Sequence, residues 1–361
     1  MGINPPPISS TQQLSIPAGG SPFHSPGLSR KRVGAPQLKS VGSLSTLSVP
    51  IEPNTQDTKN SKKLNDANVR KDSKYEFKIE DLEFMANLGQ GSGGAVSKVL
   101  HRPTGLKMAR KVIKLAATDE NQDKIEKSIL RELRIMRMCR HPYIVSFLGA
   151  FLGNDDISIM MEYMDLGTLE TIYAKNGPIP EIPVAGITVQ ILQGLIYLYE
   201  NHKIVHRDIK PGNILMCSEG FAKLADFGIS KETNNTVADT FVGTNCFLAP
   251  ERIREGSPCT PASDVWSLGL TIMEVALAKF PFPVEAMATA FDMMQFITQE
   301  PSPTLPKGIF TSEFDEFCVL CLTKDVNARP HPQQLMQTAF IKRTIVDNYI
   351  LKTWTDTLKP N

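Results

Sequence analysis

The chain has 361 residues, 41% of them hydrophobic and 21% charged, enough to bury one large core or two smaller ones. Its 39 basic and 38 acidic residues leave a formal net charge of +1, so no global field recruits nucleic acid or an anionic membrane. Six scattered cysteines show no framework spacing and argue for a reducing, cytoplasmic setting.

Residues 1 to about 74 are rich in Pro, Ser and Gly, with Phe23 as their single aromatic. Such a segment cannot bury enough apolar surface to offset its ordering entropy, which predicts a disordered tail. It carries the basic cluster Arg30-Lys31-Arg32, then Pro36 and Leu38, and two Ser-Pro steps at Ser21 and Ser25. Gly2 is followed by Pro6 where a myristoylation signal has Ser or Thr, and no charged-then-apolar leader is present. No membrane insertion is expected. The most apolar run, "VWSLGLTIMEVALA", is broken by Ser267, Thr271 and Glu274, short of the roughly 18 apolar residues a span needs.

Order is predicted to begin near Tyr75. "FMANLGQGSGGAVSKVLH" and "LKMARKVIKL" alternate apolar and polar residues around a glycine turn, the pattern of antiparallel strands. "NQDKIEKSILRELRIMRMC" has helical spacing, and "ISIMMEYM" reads as another strand. Beyond Gly167 the spacing turns helical, in "VAGITVQILQGLIYLYENH", "ASDVWSLGLTIMEVALA", "AFDMMQFITQ" and "EFDEFCVLCL". A small strand-rich lobe therefore precedes a larger helical one, joined near Glu162 to Gly167. Cys318 and Cys321 lie in the last of these helices without a second pair or a histidine nearby, and are expected to be core.

Within this frame, Gly89-x-Gly91-x-x-Gly94-x-Val96 sits in a hairpin. A dinucleotide-binding turn would continue as a helix and carry an acid about 20 residues on. Here a strand follows, and the position is Lys111. Glycines in a hairpin let backbone amides approach phosphates with no side chain between. Lys111, in the apolar run "MARKVI", needs an anionic partner if it is buried. Glu132 could orient it, or could pair on the helix surface with Arg131 or Arg134. Further on stands "HRDIKPGNIL", then Asp226-Phe227-Gly228. Phosphoryl transfer asks a protein mainly for positioning and charge stabilisation. Asp226 and Asn213 offer hard oxygen ligands to Mg²⁺. Asp208 can accept a hydroxyl proton, and Lys210 can neutralise charge on the phosphoryl group in flight.

These landmarks, with Ala249-Pro250-Glu251, Asp264 in "SDVWSLG" and Arg329 in "NARP", give residues 80 to 341 the look of a eukaryotic protein kinase. That resemblance implies an α+β, bilobal fold. It has an antiparallel β-sheet N-lobe with one key helix, about 80–163, and a larger, mainly helical C-lobe, about 164–341. "SILRELRIM", "HPYIVSFLGAF", "ISIMMEYMDLGTL", "FVGTNCFLAPERI" and "MQFITQEPSPTLP" further resemble the MAP kinase kinases. The short stretch between "KFPFP" and "FDMMQ" looks more like the fungal members of that family.

The resemblance implies ATP and Mg²⁺ as cofactors. ATP would meet Leu88, Gly89, Gln90, Gly91, Ser92, Gly93, Gly94, Val96 and Lys111, with adenine on the backbone of Glu162 and Met164 and Met161 at the rear. Asp208, Lys210, Lys111 and Glu132 would form the catalytic set, Asn213 and Asp226 the metal ligands, and Glu251, Asp264 and Arg329 structural supports. In "TNNTVADTFVGT", Thr236 and Thr240 match the two phosphorylated positions of the activation loop, with Arg207 as a phosphate receiver. The implied partners are a downstream MAP kinase, reached through the Arg30 cluster, an upstream MAP kinase kinase kinase and a scaffold protein. The extension 342–361 would either dock the upstream kinase, with Trp354 as anchor, or pack on the C-lobe. Gly212 and Phe247 depart from the family's usual Ser or Thr and Tyr. A pseudokinase scaffold, or a Ser/Thr kinase outside the cascade, are the alternatives.

Overall fold

A computed structural model describes residues 77–91, 94–114, 133–152, 156–226, 246–253, 259–283, 289–343 and 349–358. Five antiparallel strands form the first layer: β1 (Leu82–Gly91), β2 (Gly94–His101), β3 (Leu106–Lys114), β4 (Phe147–Leu152) and β5 (Asp156–Glu162), in the order β1-β2-β3-β5-β4. The two-residue period sets which side chains share a face. Lys111 lies between Val96 and Ile159, and Ala109 is opposite Met161, so these five point to one side. Met108 and Met160 point to the other, where they form a small core with Phe77, Val99 and Phe151.

Gly94 is required by the close approach of β2 to β3. A Cβ there would lie 1.9 Å from the Val112 carbonyl oxygen, so no other residue fits without moving backbone. Gly89 has φ +135°, a conformation glycine adopts without penalty.

Residues 133–138 are helical (α1), within the stretch "NQDKIEKSILRELRIMRMC" expected to form a helix; residues 121–132 of that stretch, Glu132 included, lie outside the described residues. After Glu162 the chain enters a mainly helical layer. A short sheet, β6 (Gly167–Thr168), β7 (Ile214–Met216) and β8 (Ala222–Leu224), sits among α2 (Leu169–Asn176) and α3 (Glu181–His202). Then follow α4 (Pro250–Ile253), α5 (Pro261–Leu277), α6 (Ala290–Gln299), α7 (Ser312–Cys321), α8 (Pro332–Leu335), α9 (Ala339–Lys342) and α10 (Ile350–Thr355). Local chemistry starts several of them. Pro261 opens α5. Thr289 and Asp292 exchange bonds with each other's backbone N–H at the start of α6. The Thr311 hydroxyl accepts from Phe314 N to cap α7.

The expectation that no segment is apolar enough to span a membrane needs correction for α3. Its 22 residues have a mean hydropathy of 1.5 over the spanning window, enough by length and composition. That apolarity is used inside the protein: Val184, Ile187, Ile191, Leu192, Leu195 and Leu198 are all buried in the main core. Trp266 on α5 and Phe314 and Phe317 on α7 are fully buried ring side chains of that core. Cys318 and Cys321 are fully buried beside them, and burial pushes both thiols well above their ordinary range, so they are packing residues.

Candidate active site

The segment that carries Asp208 is held by a framework of buried acceptors. Asp264, near the start of α5, accepts from two successive backbone N–H groups, His206 at 2.7 Å and Arg207 at 2.8 Å. Burial pushes its carboxyl up to about 6, while those N–H donors and the charges of Arg207 and Arg252 pull the other way. The His206 ring is fully buried, with Nε2 3.1 Å from the Ala225 carbonyl oxygen. A carbonyl only accepts, so Nε2 carries the proton and Nδ1 is left to accept from Asp208 N at 3.4 Å. The segment 206–208 is thus tied below to α5 and above to the strand that leads to Asp226.

Asp208 and Asn213 are both buried. Asn213 Nδ2 donates to the Asp208 backbone oxygen at 2.8 Å and to Asp208 Oδ2 at 2.7 Å, which fixes the amide's orientation and turns Asn213 Oδ1 to the opposite side. Lys210 Nζ lies 3.3 Å from the same Oδ2. The Asn213 carbonyl accepts from Ala225 N at 2.9 Å, so Asn213 and the Asp226 segment share one backbone bond.

Across the cleft, Lys111 is 5% exposed and its Nζ bonds Asp226 Oδ1 at 2.7 Å. The anionic partner that its burial demands is therefore Asp226, from the other lobe. Glu132, Ser92, Gly93, Thr236 and Thr240 lie outside the described residues. Met161 and Met164 are buried, and Glu162 is half-buried, at the junction of the lobes; Leu88 is exposed on β1. Glu251 and Arg329 form a two-pronged ion pair, Nη1 to Oε1 at 2.8 Å and Nη2 to Oε2 at 2.9 Å. Phe247 packs edge-on against Phe280, with its carbonyl accepting from the Ser267 hydroxyl. At Gly212 an added Cβ would meet only the Glu170 carboxylate oxygen, at 2.9 Å, the end of an exposed and flexible side chain.

The donor set suits magnesium carried in with a nucleotide. Among the described residues no group of three or more His, Cys, Asp or Glu could hold a metal by itself. Mg²⁺ keeps several waters and takes one or two protein oxygens plus substrate phosphates. The Asp226 carboxylate and Asn213 Oδ1 would serve as two such oxygens, with the Lys111 ammonium on the first.

Sequence reasoning overlooked Lys223. Its Nζ bonds both carboxylate oxygens of Glu162, at 2.7 and 2.9 Å. Nothing local in "FAKLADFG" marks it, because its partner is in a different lobe.

The protein kinase domain family model matches residues 82–341. The chain is 46% identical over 293 residues to mitogen-activated protein kinase kinase MST7 of Pyricularia oryzae, covering 77% of this chain and 69% of that relative. It is 39% identical over 302 residues to dual specificity mitogen-activated protein kinase kinase dSOR1 of Drosophila melanogaster, covering 77% and 75%. Protein kinases use ATP and Mg²⁺, the pair to which the cleft is suited. The chain belongs to the protein kinase family and, within it, to the MAP kinase kinases.

Proposed function

We propose that this enzyme binds Mg·ATP between its lobes and transfers the γ-phosphoryl group to Thr and Tyr in the activation loop of a MAP kinase. The observation that carries this reading is the convergence of Lys111, Asp208, Lys210, Asn213 and Asp226 through buried ion pairs and hydrogen bonds spanning both lobes. Bound magnesium would neutralise charge that builds between the phosphates as transfer proceeds. Lys111 orients the phosphates, with Glu132 as its second anchor. Asp208 accepts the proton of the attacking hydroxyl, and Lys210, beside it, stabilises charge on the moving group. Adenine bonds the backbone of Glu162 and Met164, against Met161. Asn213 and Asp226 would hold the metal.

An upstream kinase would switch the enzyme on by phosphorylating Thr236 and Thr240. Each phosphate adds about −1.5 to −2 charge and can order the loop against Arg207. The tail around Arg30-Lys31-Arg32 would dock the MAP kinase, and a scaffold could join the three kinases. A cytoplasmic location suits the six free thiols. The test is turnover on a kinase-dead MAP kinase before and after treatment with an active upstream kinase. Wild type should be stimulated and Thr236→Ala/Thr240→Ala should stay at the basal rate. Full stimulation of the double mutant would place the switch elsewhere; absence of any MAP kinase phosphorylation would remove the substrate assignment.

A further inference from the structure

The Glu162 side chain is held from two directions at the point where the lobes join. Lys223, on β8, grips both its oxygens, and Ser146 N donates to Oε1 at 2.6 Å. The Glu162 N–H in turn bonds the Ser146 carbonyl at 3.0 Å. The turn that supplies Ser146 is itself fastened to β8. Leu224 N bonds the Tyr143 carbonyl, Val145 N bonds the Leu224 carbonyl, both at 2.9 Å, and Ile144 bridges Leu224 in parallel. Three segments far apart in sequence thus close a ring: the end of β5, the 143–146 turn and β8. Lys223 closes it with a side chain.

An ion pair whose side chains are 14% and 25% exposed has paid part of its hydration and returns little net stability. What it does supply is a fixed distance. Lys223 stands three residues before Asp226, on the strand that delivers that carboxylate to the metal. Glu162 offers its backbone to the adenine. The pair therefore connects the supports for the two ends of one extended ligand.

We propose that Lys223 is a positioning residue for the nucleotide. Through the Glu162 carboxylate it sets the spacing between the adenine-binding backbone and Asp226. This rests on the reading that Mg·ATP lies between the lobes. It implies a split that simple destabilisation does not produce. Mg·ATP touches both supports and needs their spacing, whereas adenosine touches only the Glu162 end.

The experiment is direct binding of Mg·ATP and of adenosine to the full chain and to Lys223→Met and Lys223→Arg, with steady-state kinetics alongside. Lost preorganisation should weaken Mg·ATP about five- to tenfold in Lys223→Met and move adenosine by less than about twofold. KM for ATP should rise in parallel, kcat at saturating ATP should stay within about twofold, and Lys223→Arg should restore most of the loss. If Lys223→Met does not fold, Lys223→Gln keeps a donor within reach of Glu162 while removing the charge, and the same split is expected. Equal weakening of both ligands, or unchanged Mg·ATP affinity with any change in kcat, overturns the proposal. If all three proteins bind each ligand with the same affinity, only this inference falls. If wild type binds neither, the nucleotide reading falls with it.

Discussion

Arg329 lies 2% exposed with its two terminal nitrogens on the two carboxylate oxygens of Glu251, 78 residues earlier in the chain. Its Nε and Nη1 also donate to the Thr323 and Ala262 carbonyls at 2.8 Å, and the guanidinium stacks over Trp266. Removing one partner of such a pair strands a buried charge, at a cost of about 3–5 kcal/mol. We expect Arg329→Leu to lower stability by that order in denaturant titration at neutral pH. Burial alone pushes the Glu251 carboxyl up, but the hydrogen bonds and charge of Arg329 outweigh it and hold the group below its ordinary 4.5. A folded-state value below the unfolded one contributes stability above about pH 4.5 that is lost as pH falls through the folded value. The gap between wild type and Arg329→Leu should therefore be widest at neutral pH and narrow in acid. A gap independent of pH would mean that the pair contributes packing rather than charge.

Asp208→Asn replaces an acceptor that already receives Asn213 Nδ2 and lies beside Lys210 Nζ. General-base assistance contributes about 10²–10⁴-fold, so turnover should fall by at least about a hundredfold while Mg·ATP binding changes little. Lys111→Met should also inactivate, and in addition leave Asp226 without its 2.7 Å partner, so its nucleotide affinity should fall too. Either purified mutant retaining more than about a tenth of wild-type turnover would contradict these roles.

Met161 is buried between Ala109 and Phe147 on the neighbouring strands. In the proposed nucleotide pose, Met161→Gly opens the space behind the adenine. Purine analogues bulky at the exocyclic amine should inhibit this variant at concentrations at least about tenfold lower than those needed for the parent, a gain of about 1.4 kcal/mol. Equal inhibition of both would show that Met161 does not border the purine.

The C-terminal helix α10 is part of the lobe's structure. Leu351 is buried with its side chain against Gly186 of α3, close enough that a Cβ there would lie 3.0 Å from it. The Thr355 hydroxyl donates to the Ser218 carbonyl, and Gly220, at φ +85°, has no room for a Cβ beneath Lys352 N. Trp354 is half-buried against the same core. Leu351→Ala should cost about 2–5 kcal/mol. Deleting 343–361 should lower basal and upstream-stimulated turnover together. Loss confined to stimulation would instead assign this helix to docking.

Elements with a local signature were the legible part of the sequence. "AFDMMQFITQ" is the whole of α6, and the burial of Cys318 and Cys321 follows from the spacing of their helix. The site residues were legible as an ordered set of chemical types, yet their contacts were not. Asp264 caps the backbone of 206–207 from 57 and 58 residues away, and Lys223 reaches Glu162 across 61. Such pairs leave no period in the sequence. The motif at Gly94 points to freedom near phosphate, whereas the steric demand on it comes from the Val112 carbonyl. The long apolar α3 shows the converse, since hydropathy alone does not distinguish a core helix from a span.

Arg207 and Asp226 both adopt left-handed backbone, at φ 72° and 53°. For an L-residue that conformation costs roughly 1–2 kcal/mol, and nearby hydrogen bonds hold it in place. Glycine would adopt it freely. At Asp226, however, glycine would strand the buried Lys111 ammonium, a loss of about 3–5 kcal/mol that outweighs the relieved strain. The ion pair across the cleft thus protects the strained carboxylate, and a search for heat-resistant variants would retain Asp226 even if turnover were never measured.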